Sequence, residues 1–521
     1  MVLASLIGAG FLMTISASAQ VPAPAQGAHP TVTVAGGGML VGRADAGVDS
    51  FKGIAYGVAP VGPLRWRPTQ PAPAWTGPRD AGQVGAICIQ PPANGDNGVG
   101  PLPMSEDCLT LNVWTPQGSP GAAATLPVMV WIHGGGYVNG SGTAPLYDGA
   151  SLARRGVIVV TMNYRLGRLG FFDHPALAAD RPAGEAAGNY GLMDMIAALK
   201  WVRDNIAAFG GDPGQVTLFG ESAGGVAVSQ LMIAAPARGL FSRAIVQSGL
   251  GRQQGTSLEE ALDGSAETLR SLRSRGRDWA ASQGLVPTAE ALRALPPERM
   301  LEPAPGFYSG DLIVRDGMIV SQDVETAFVA GSEADVPLII GTNSAEFWWA
   351  KPSDLSPYRE LDQNLTPEQR AAILAAYGGQ GGYDASALSD LVFNEPARRL
   401  ARLHAANGRP TYLYRFDVVS AAMTEPHTGA THASERQYVF DTLSASPWPT
   451  DARDQAAAEV IGGYWTDFAK SGDPNSEGRP AWPDLRLEPD RLLEFTNDGP
   501  VVRAVPDAER LDLLERLYPS R

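Results

Sequence analysis

A serine set between glycines, Gly220-Glu221-Ser222-Ala223-Gly224, has the residue types and spacing of a nucleophile on a sharp turn. A serine hydroxyl attacks only when a neighbouring base removes its proton, so its surroundings decide what it can do. Upstream, FGGDPGQ reads as a loop, and Val216, Thr217, Leu218 and Phe219 as a short apolar strand. Downstream, Ala, Val, Leu and Met residues recur at helical rather than alternating spacing. A strand-to-helix turn of this kind lifts the hydroxyl clear of the backbone. It also aims the free N–H groups and positive end of the helix at any negative charge that develops nearby. Among 60 glycines such a motif also arises by chance as a surface turn; the ordered strand and helix around it favour a nucleophile, Ser222.

A nucleophilic serine needs a base, an acid to orient that base, and donors for an oxyanion. His133-Gly134-Gly135-Gly136-Tyr137 follows the apolar run Leu126–His133, and three adjacent glycines let backbone N–H groups approach a ligand closely. Glu346, in Gly341-Thr342-Asn343-Ser344-Ala345-Glu346, lies downstream of the serine in the acid slot of the order Ser, Asp/Glu, His. It precedes Phe347, Trp348 and Trp349, and an apolar surround strengthens a histidine–carboxylate pair. The alternative is a glutamate favoured at a helix start. Of six histidines, His29 lies near the N-terminus, His133 precedes the glycines, His174 precedes a proline and His404 falls in a helical segment. His427 and His432 remain, both in the loop after the strand Tyr412–Phe416, and pattern alone does not separate them.

These residues must be positioned by a sheet. Leu126–His133, Val157–Tyr164, Val216–Phe219, Ala244–Gln247, Val336–Ile340 and Tyr412–Phe416 read as strands, several continuously apolar as buried central strands are. Leu192, Met195, Ile196, Leu199, Val202 and Ile206 share one helical face within Leu192–Ile206. Strands alternating with helices predict an α/β fold: a mainly parallel central sheet with helices on both faces, and sites at the carboxyl ends of its strands. The net charge of −15 argues against nucleic acid or an anionic membrane as partner. Val2–Ile15 is apolar and Ala17-Ser18-Ala19 offers a cleavage site, so residues 1–19 read as a signal peptide, although no Lys or Arg precedes the apolar run. Residues 20–30 read as a Pro/Ala/Gly-rich linker and 31–521 as the folded domain. No later run reaches the length of a membrane span, so the mature chain is expected to be secreted or periplasmic. The two cysteines, Cys88 and Cys108, are expected to form a disulfide in that setting, and neither their count nor their spacing suggests a metal site.

Taken together, these residues resemble the type-B carboxylesterase family, the cholinesterase-like branch of the α/β-hydrolases. Both family signatures are present, FGGDPGQVTLFGESAGG at 209–225 and EDCLTLNVWTP at 106–116. FKGIAYGVAPVGPLRWRP near the mature start, HGGGYVNGSG at 133–142, NYRLGRLGFF at 163–172, GNYGLMD at 188–194 and FAKSGDPN at 468–475 extend the similarity over essentially the whole mature chain. The resemblance implies an α/β-hydrolase fold with a helical lid region, to which residues 250–335 are expected to contribute, and a serine carboxylesterase without a cofactor. It places the base at His432, in Gly429-Ala430-Thr431-His432 ahead of Ser434-Glu435, and the acid at Glu346. It assigns the oxyanion donors to the N–H groups of Gly135, Gly136 and Ala223, makes Cys88–Cys108 the first disulfide, and has Ser248 support the acid.

The chain also departs from the family pattern. Phe347 and Ala433 stand where glycine usually follows the acid and the histidine, and Arg168, Arg252 and Arg436 replace small or apolar residues. Arg252 and Arg436 near an acyl pocket would suit an acyl group carrying extra carboxylates, such as the tricarballylate esters of fumonisin-type toxins. The alternative for both is pairing with acids such as Glu259, Glu260 or Glu435. The resemblance also admits a non-catalytic cholinesterase-like binding protein, which typically lacks part of the triad.

Overall fold

Alternation along the strand Leu126–Ile132 shows how the sheet is buried. Val128, Val130 and Ile132 enter one apolar cluster, while Met129 and Trp131 enter another on the opposite face. A strand that is apolar at every position must be covered on both sides, and this one is. The structure, a computed structural model, describes residues 29–36, 38–92, 102–123, 125–252, 256–257, 271–285, 287–302, 313–354, 356–423 and 429–517. The expected signal peptide and most of the linker lie outside the described residues, as do His427, Glu259 and Glu260.

The main sheet has eleven strands. In chain order they are β1 (Arg43–Asp45), β2 (Val48–Ala55), β3 (Thr110–Pro116), β4 (Leu126–Ile132), β5 (Ile158–Met162), β6 (Gly211–Glu221), β7 (Arg243–Gln247), β8 (Leu338–Asn343), β9 (Thr411–Asp417), β10 (Arg491–Thr496) and β11 (Gly499–Ala504). Their spatial order is β11-β10-β9-β8-β7-β6-β4-β5-β3-β2-β1. From β10 to β5 all neighbours are parallel, and antiparallel strands close both edges. The six strands expected from the sequence are six adjacent members of that parallel block. β6 begins earlier than expected: residues read as a loop join the strand at Gly211, with a register break against β4 before Val216. The Asp212 side chain accepts the Gly214 N–H at 2.8 Å and shapes that irregularity.

Helices α1 (Tyr190–Asn205), α2 (Ala223–Ile233) and α3 (Glu395–Ala406) cover one face, and α4 (Ala452–Ser471) covers the other. The periodicity of α1 is honoured: Leu192, Met195, Leu199 and Val202 are all buried in the first cluster. α4 gives Ile461, Trp465 and Phe468 to the second. Within residues 250–335 the described part includes helices Leu272–Ser282, Ala289–Arg293 and Val324–Val329. Trp279, Leu292 and Met300 from this region build a satellite cluster with Trp66 and Phe172.

Cys88 and Cys108 form a disulfide across 20 residues of sequence. Converting both to Ser is expected to lower the unfolding free energy by about 3 kcal/mol, because loop-closure entropy is returned to the unfolded chain. Equilibrium unfolding in urea checks this, and an unchanged free energy would show that the bridge does not constrain the chain.

Candidate active site

β6 delivers Ser222 to the carboxyl end of the parallel block, the position where sheets of this kind place their sites. The residue has φ 55° and ψ −124°, a turn in which a side chain with a Cβ is strained. Its N–H donates to the Gln247 carbonyl at 2.9 Å, pinning the turn to the end of β7. Although Ser222 stands at the N-cap of α2, its hydroxyl does not cap the helix. The turn also requires Gly224, since a Cβ there would lie 2.0 Å from the Ile132 carbonyl oxygen.

The hydroxyl instead meets His432. The Ser222 Oγ lies 2.9 Å from His432 Nε2, and Nδ1 of the same ring lies 2.5 Å from Glu346 Oε2. With the carboxylate accepting a hydrogen bond from Nδ1–H, Nε2 is left as the acceptor for the serine hydroxyl, the tautomer a general base needs. Glu346 follows β8 and is fully buried. Its other oxygen accepts from Ser248 Oγ at 2.6 Å and from the Asn343 N–H at 2.7 Å, so the carboxylate cannot swing away. The His432 N–H donates in turn to the Glu346 carbonyl at 3.0 Å, which fixes the two loops against each other.

The glycine loop lies against the serine: a Cβ on Gly134 would stand 3.1 Å from the Ser222 Cβ. Gly135 has φ 107°, and a Cβ on it would reach within 2.2 Å of the Asn139 carbonyl oxygen. The Ala223 N–H belongs to the first turn of α2, where no intrahelical acceptor exists. His133 anchors the loop rather than acting as a base. Its ring stacks on Tyr164 at 4.3 Å, its Nδ1 lies 2.8 Å from the Gly134 carbonyl, and burial lowers its pKa to about 4. The remaining described histidines are also placed elsewhere: His29 is exposed near the N-terminus, His174 caps a helix, and His404 is buried between Glu333 and the Val336 carbonyl.

Sequence reasoning missed several groups that complete the site. Glu221, the variable residue before the serine, is buried with Oε1 3.4 Å from His432 Nε2. Burial pushes its pKa up to about 7, against the pull of His432 and Arg436. Its place inside Gly-x-Ser-x-Gly, at the buried end of a central strand, was the available signal. Phe347, expected as part of the apolar surround of the acid, packs edge-on to the His432 ring at 5.1 Å; Phe393, which the sequence did not point to, packs at 4.9 Å, so two aromatic rings shield the imidazole. Phe393 comes from a π-turn, Asp390–Asn394, that leads into α3; such turns often occur at functional sites. Behind the triad, Gln247 Nε2 donates to Glu435 Oε1 at 3.2 Å and Asn343 Nδ2 to Glu435 Oε2 at 2.8 Å.

The arginines of the expected acyl pocket are engaged within the chain. Arg252 pairs with Glu395 at 2.6 Å and Glu325 at 3.3 Å, neither of them an acid that the sequence had suggested. Arg436 is buried, donating through Nε to the Ala433 carbonyl at 2.8 Å and through Nη1 to the Tyr147 hydroxyl at 3.0 Å. Arg168 donates to the Met300 carbonyl at 2.7 Å and lies over the Trp279 ring.

A serine on a strained strand-to-helix turn, followed in chain order by an acid after β8 and a histidine after β9, defines an α/β-hydrolase. Similarity to known proteins narrows the class. The chain belongs to the carboxylesterase family, whose model matches residues 28–380 and 384–513. It is 35% identical to a cocaine esterase of Oryctolagus cuniculus, with 96% of each chain covered. It is 35% identical to a fumonisin B1 esterase of Sphingopyxis macrogoltabida over 84% of this chain and 81% of that one. A solved PNB esterase structure superposes with a TM-score of 0.80 at 31% identity, covering 94% of this chain and all of the other.

Proposed function

We propose that this protein, a carboxylic ester hydrolase by family, cleaves its substrates through an acyl-enzyme formed on Ser222. The observation that carries the mechanism is the continuous relay from Ser222 Oγ through the His432 ring to Glu346, at 2.9 and 2.5 Å. His432 takes the serine proton as Oγ attacks the ester carbonyl. Glu346 holds the ring in the required tautomer and stabilises the imidazolium. The N–H groups of Gly135, Gly136 and Ala223 receive the oxyanion. The proton then passes to the departing alcohol, and water, activated by the same histidine, releases the acid. The disulfide, and an apolar N-terminal run followed by Ala17-Ser18-Ala19, support export from the cytoplasm.

An uncharged ester is the favoured substrate class. The fumonisin B1 esterase relative speaks for a polycarboxylic acyl group. Arg252 and Arg436, however, already have partners in the chain, and a substrate carboxylate would have to displace them. A complete triad weighs against the non-catalytic reading. Treatment with an active-site-directed organophosphate is expected to add one covalent adduct to Ser222 and abolish turnover of p-nitrophenyl esters; an unlabelled protein would refute the mechanism. Comparing kcat/KM for a neutral ester and a hemiester of matched size then tests the substrate class, with the neutral ester expected to be preferred.

The pH dependence follows from the base. Burial alone would lower the His432 pKa, but the Glu346, Glu221 and Glu435 carboxylates outweigh it and raise the pKa above the ordinary imidazole value. The free enzyme needs neutral His432, so kcat/KM is expected to be full above that raised pKa and to fall about tenfold per pH unit below it. An acid limb centred below the ordinary imidazole range would contradict the assignment.

A further inference from the structure

The residue after the base has the wrong side chain for its backbone. Ala433 sits at φ 65°, in the left-handed region that glycine occupies freely and that a Cβ opposes. On its N-terminal side His432 is tied to the Glu346 carbonyl by a 3.0 Å hydrogen bond. On its C-terminal side the Ala433 carbonyl is held by Arg436 Nε at 2.8 Å, while Nη1 of the same guanidinium is 3.0 Å from the Tyr147 hydroxyl. Tyr147 is itself packed between Trp131 and Phe440, so the anchor is rigid. We propose that Arg436 is a positioning residue for the base: its guanidinium clamps the turn that aims His432 at Ser222 and supplies a fixed positive charge that favours the carboxylate form of Glu221 beside the imidazole. This rests on the esterase mechanism proposed above.

The electrostatic half follows from the groups that share the pocket. His432 faces Glu346 from the loop after β8, Glu221 from the end of β6, and Glu435 from its own segment. Glu221 feels His432, Arg436, Glu435 and Glu346, and its field also reaches the Tyr147 and Tyr164 hydroxyls. Its Oε1 has no hydrogen-bond partner among the described residues, so of the three buried carboxylates it is the one most readily neutralised. In the resting enzyme His432 is neutral and offers Glu221 no countercharge. Arg436 is a permanent cation there: despite its burial, Tyr147, Glu221 and Glu435 hold its proton more firmly than usual. When His432 takes the serine proton, the carboxylate form of Glu221, 3.4 Å away, attracts the new imidazolium.

Profiles of kcat/KM against pH for a neutral p-nitrophenyl ester test both halves. Arg436→Met is expected to lower the plateau by about tenfold or more through misplacement of the base. It should also move the acid limb down by about one pH unit, because a neutral Glu221 no longer favours the imidazolium. Adding Ala433→Gly should restore most of the plateau, since glycine holds the turn unaided, but not the limb. Glu221→Gln should reproduce the limb shift with the clamp intact, and Arg436→Met added to it should move the limb no further. Arg436→Lys keeps the charge but loses the fork, so its limb stays, its plateau falls and Ala433→Gly rescues it; this variant and Glu221→Gln carry the test if Arg436→Met does not fold. A folded Arg436→Met with wild-type plateau and limb, or a plateau that Ala433→Gly fails to restore, overturns the proposal. A wild-type protein without ester turnover would instead refute the proposed function.

Discussion

Ser222→Ala is expected to lower kcat on a p-nitrophenyl ester by about 10⁵-fold or more, the loss seen when a hydrolase of this type is deprived of its nucleophile. The substitution removes a single oxygen whose hydrogen bond runs to His432 Nε2, while the main-chain bond from residue 222 to the Gln247 carbonyl survives. Alanine in the same strained turn preserves the steric demand, so the fold and the glycine loop stay in place. Any residual rate then reports what the oxyanion donors and substrate binding achieve without a nucleophile. Burst kinetics check the assignment: the wild type should release an initial stoichiometric pulse of alcohol, and the variant none. His427→Ala serves as the contrast and should keep most of the activity. Normal turnover by Ser222→Ala would place the nucleophile elsewhere.

The parts of this site that were legible in the sequence share a physical trait. Each rests on a local pattern: an apolar run ending in glycines, or a serine between a strand and a helix. Six parallel strands, α1 and the position of Ser222 follow from such patterns because a doubly covered sheet writes its burial into consecutive residues. The antiparallel edge strands were not legible; β1 is Arg43-Ala44-Asp45, too short and polar to show a period. Separating His427 from His432 also exceeded local pattern, since the contact that favours His432 joins residues 210 apart. Only the family resemblance pointed to His432. Charge partners were still less visible. Arg252 finds Glu325 and Glu395 across 73 and 143 residues, and Arg436 finds Tyr147 across 289. Of the nearby acids, Glu259 and Glu260 lie outside the described residues, while Glu435 does act on Arg436 through its charge. Glu221 shows the same limit: the motif names the residue, but the buried pocket that gives it a role is assembled from four separate segments.

Backbone strain gathers at this site, and it has a common use. Tyr137, Ser222, Ser248 and Ala433 are all non-glycine residues at positive φ, and each adjoins a group of the proposed mechanism. Such conformations persist only where the surroundings over-determine them. Here the restraints are specific: Gln247 holds residue 222, the Gly341 carbonyl accepts the Ser248 N–H at 2.8 Å, and Arg436 holds Ala433. At Ser222 and Ser248 the strained turns present hydroxyls to His432 and Glu346.

Glu346→Gln is expected to reduce kcat by about 10⁴-fold with little change in fold, the loss typical of a triad whose acid becomes an amide. The reason lies in which atoms can accept. Oε1 takes hydrogen bonds from the Asn343 N–H and Ser248 Oγ, and Oε2 faces His432 Nδ1 at 2.5 Å. A carboxylate accepts at both oxygens, whereas an amide has one oxygen and one NH₂. The Asn343 N–H belongs to the backbone of β8 and cannot turn away, so the amide oxygen is drawn to that side. The NH₂ group then points at Nδ1, which must become an acceptor. The proton moves to Nε2, and the ring now offers a hydrogen, not a lone pair, to the Ser222 hydroxyl. The variant should therefore stay folded and bind substrate, with KM near wild type and the loss concentrated in kcat. Ser248→Ala provides a graded comparison: it removes one of two donors to Oε1 and keeps both acceptors of the acid, so its loss should be far smaller. The downfield resonance of the proton between His432 and Glu346 in the wild type, and its disappearance in Glu346→Gln, would report the tautomer directly. A variant that keeps wild-type kcat would show that Glu346 does not orient the base.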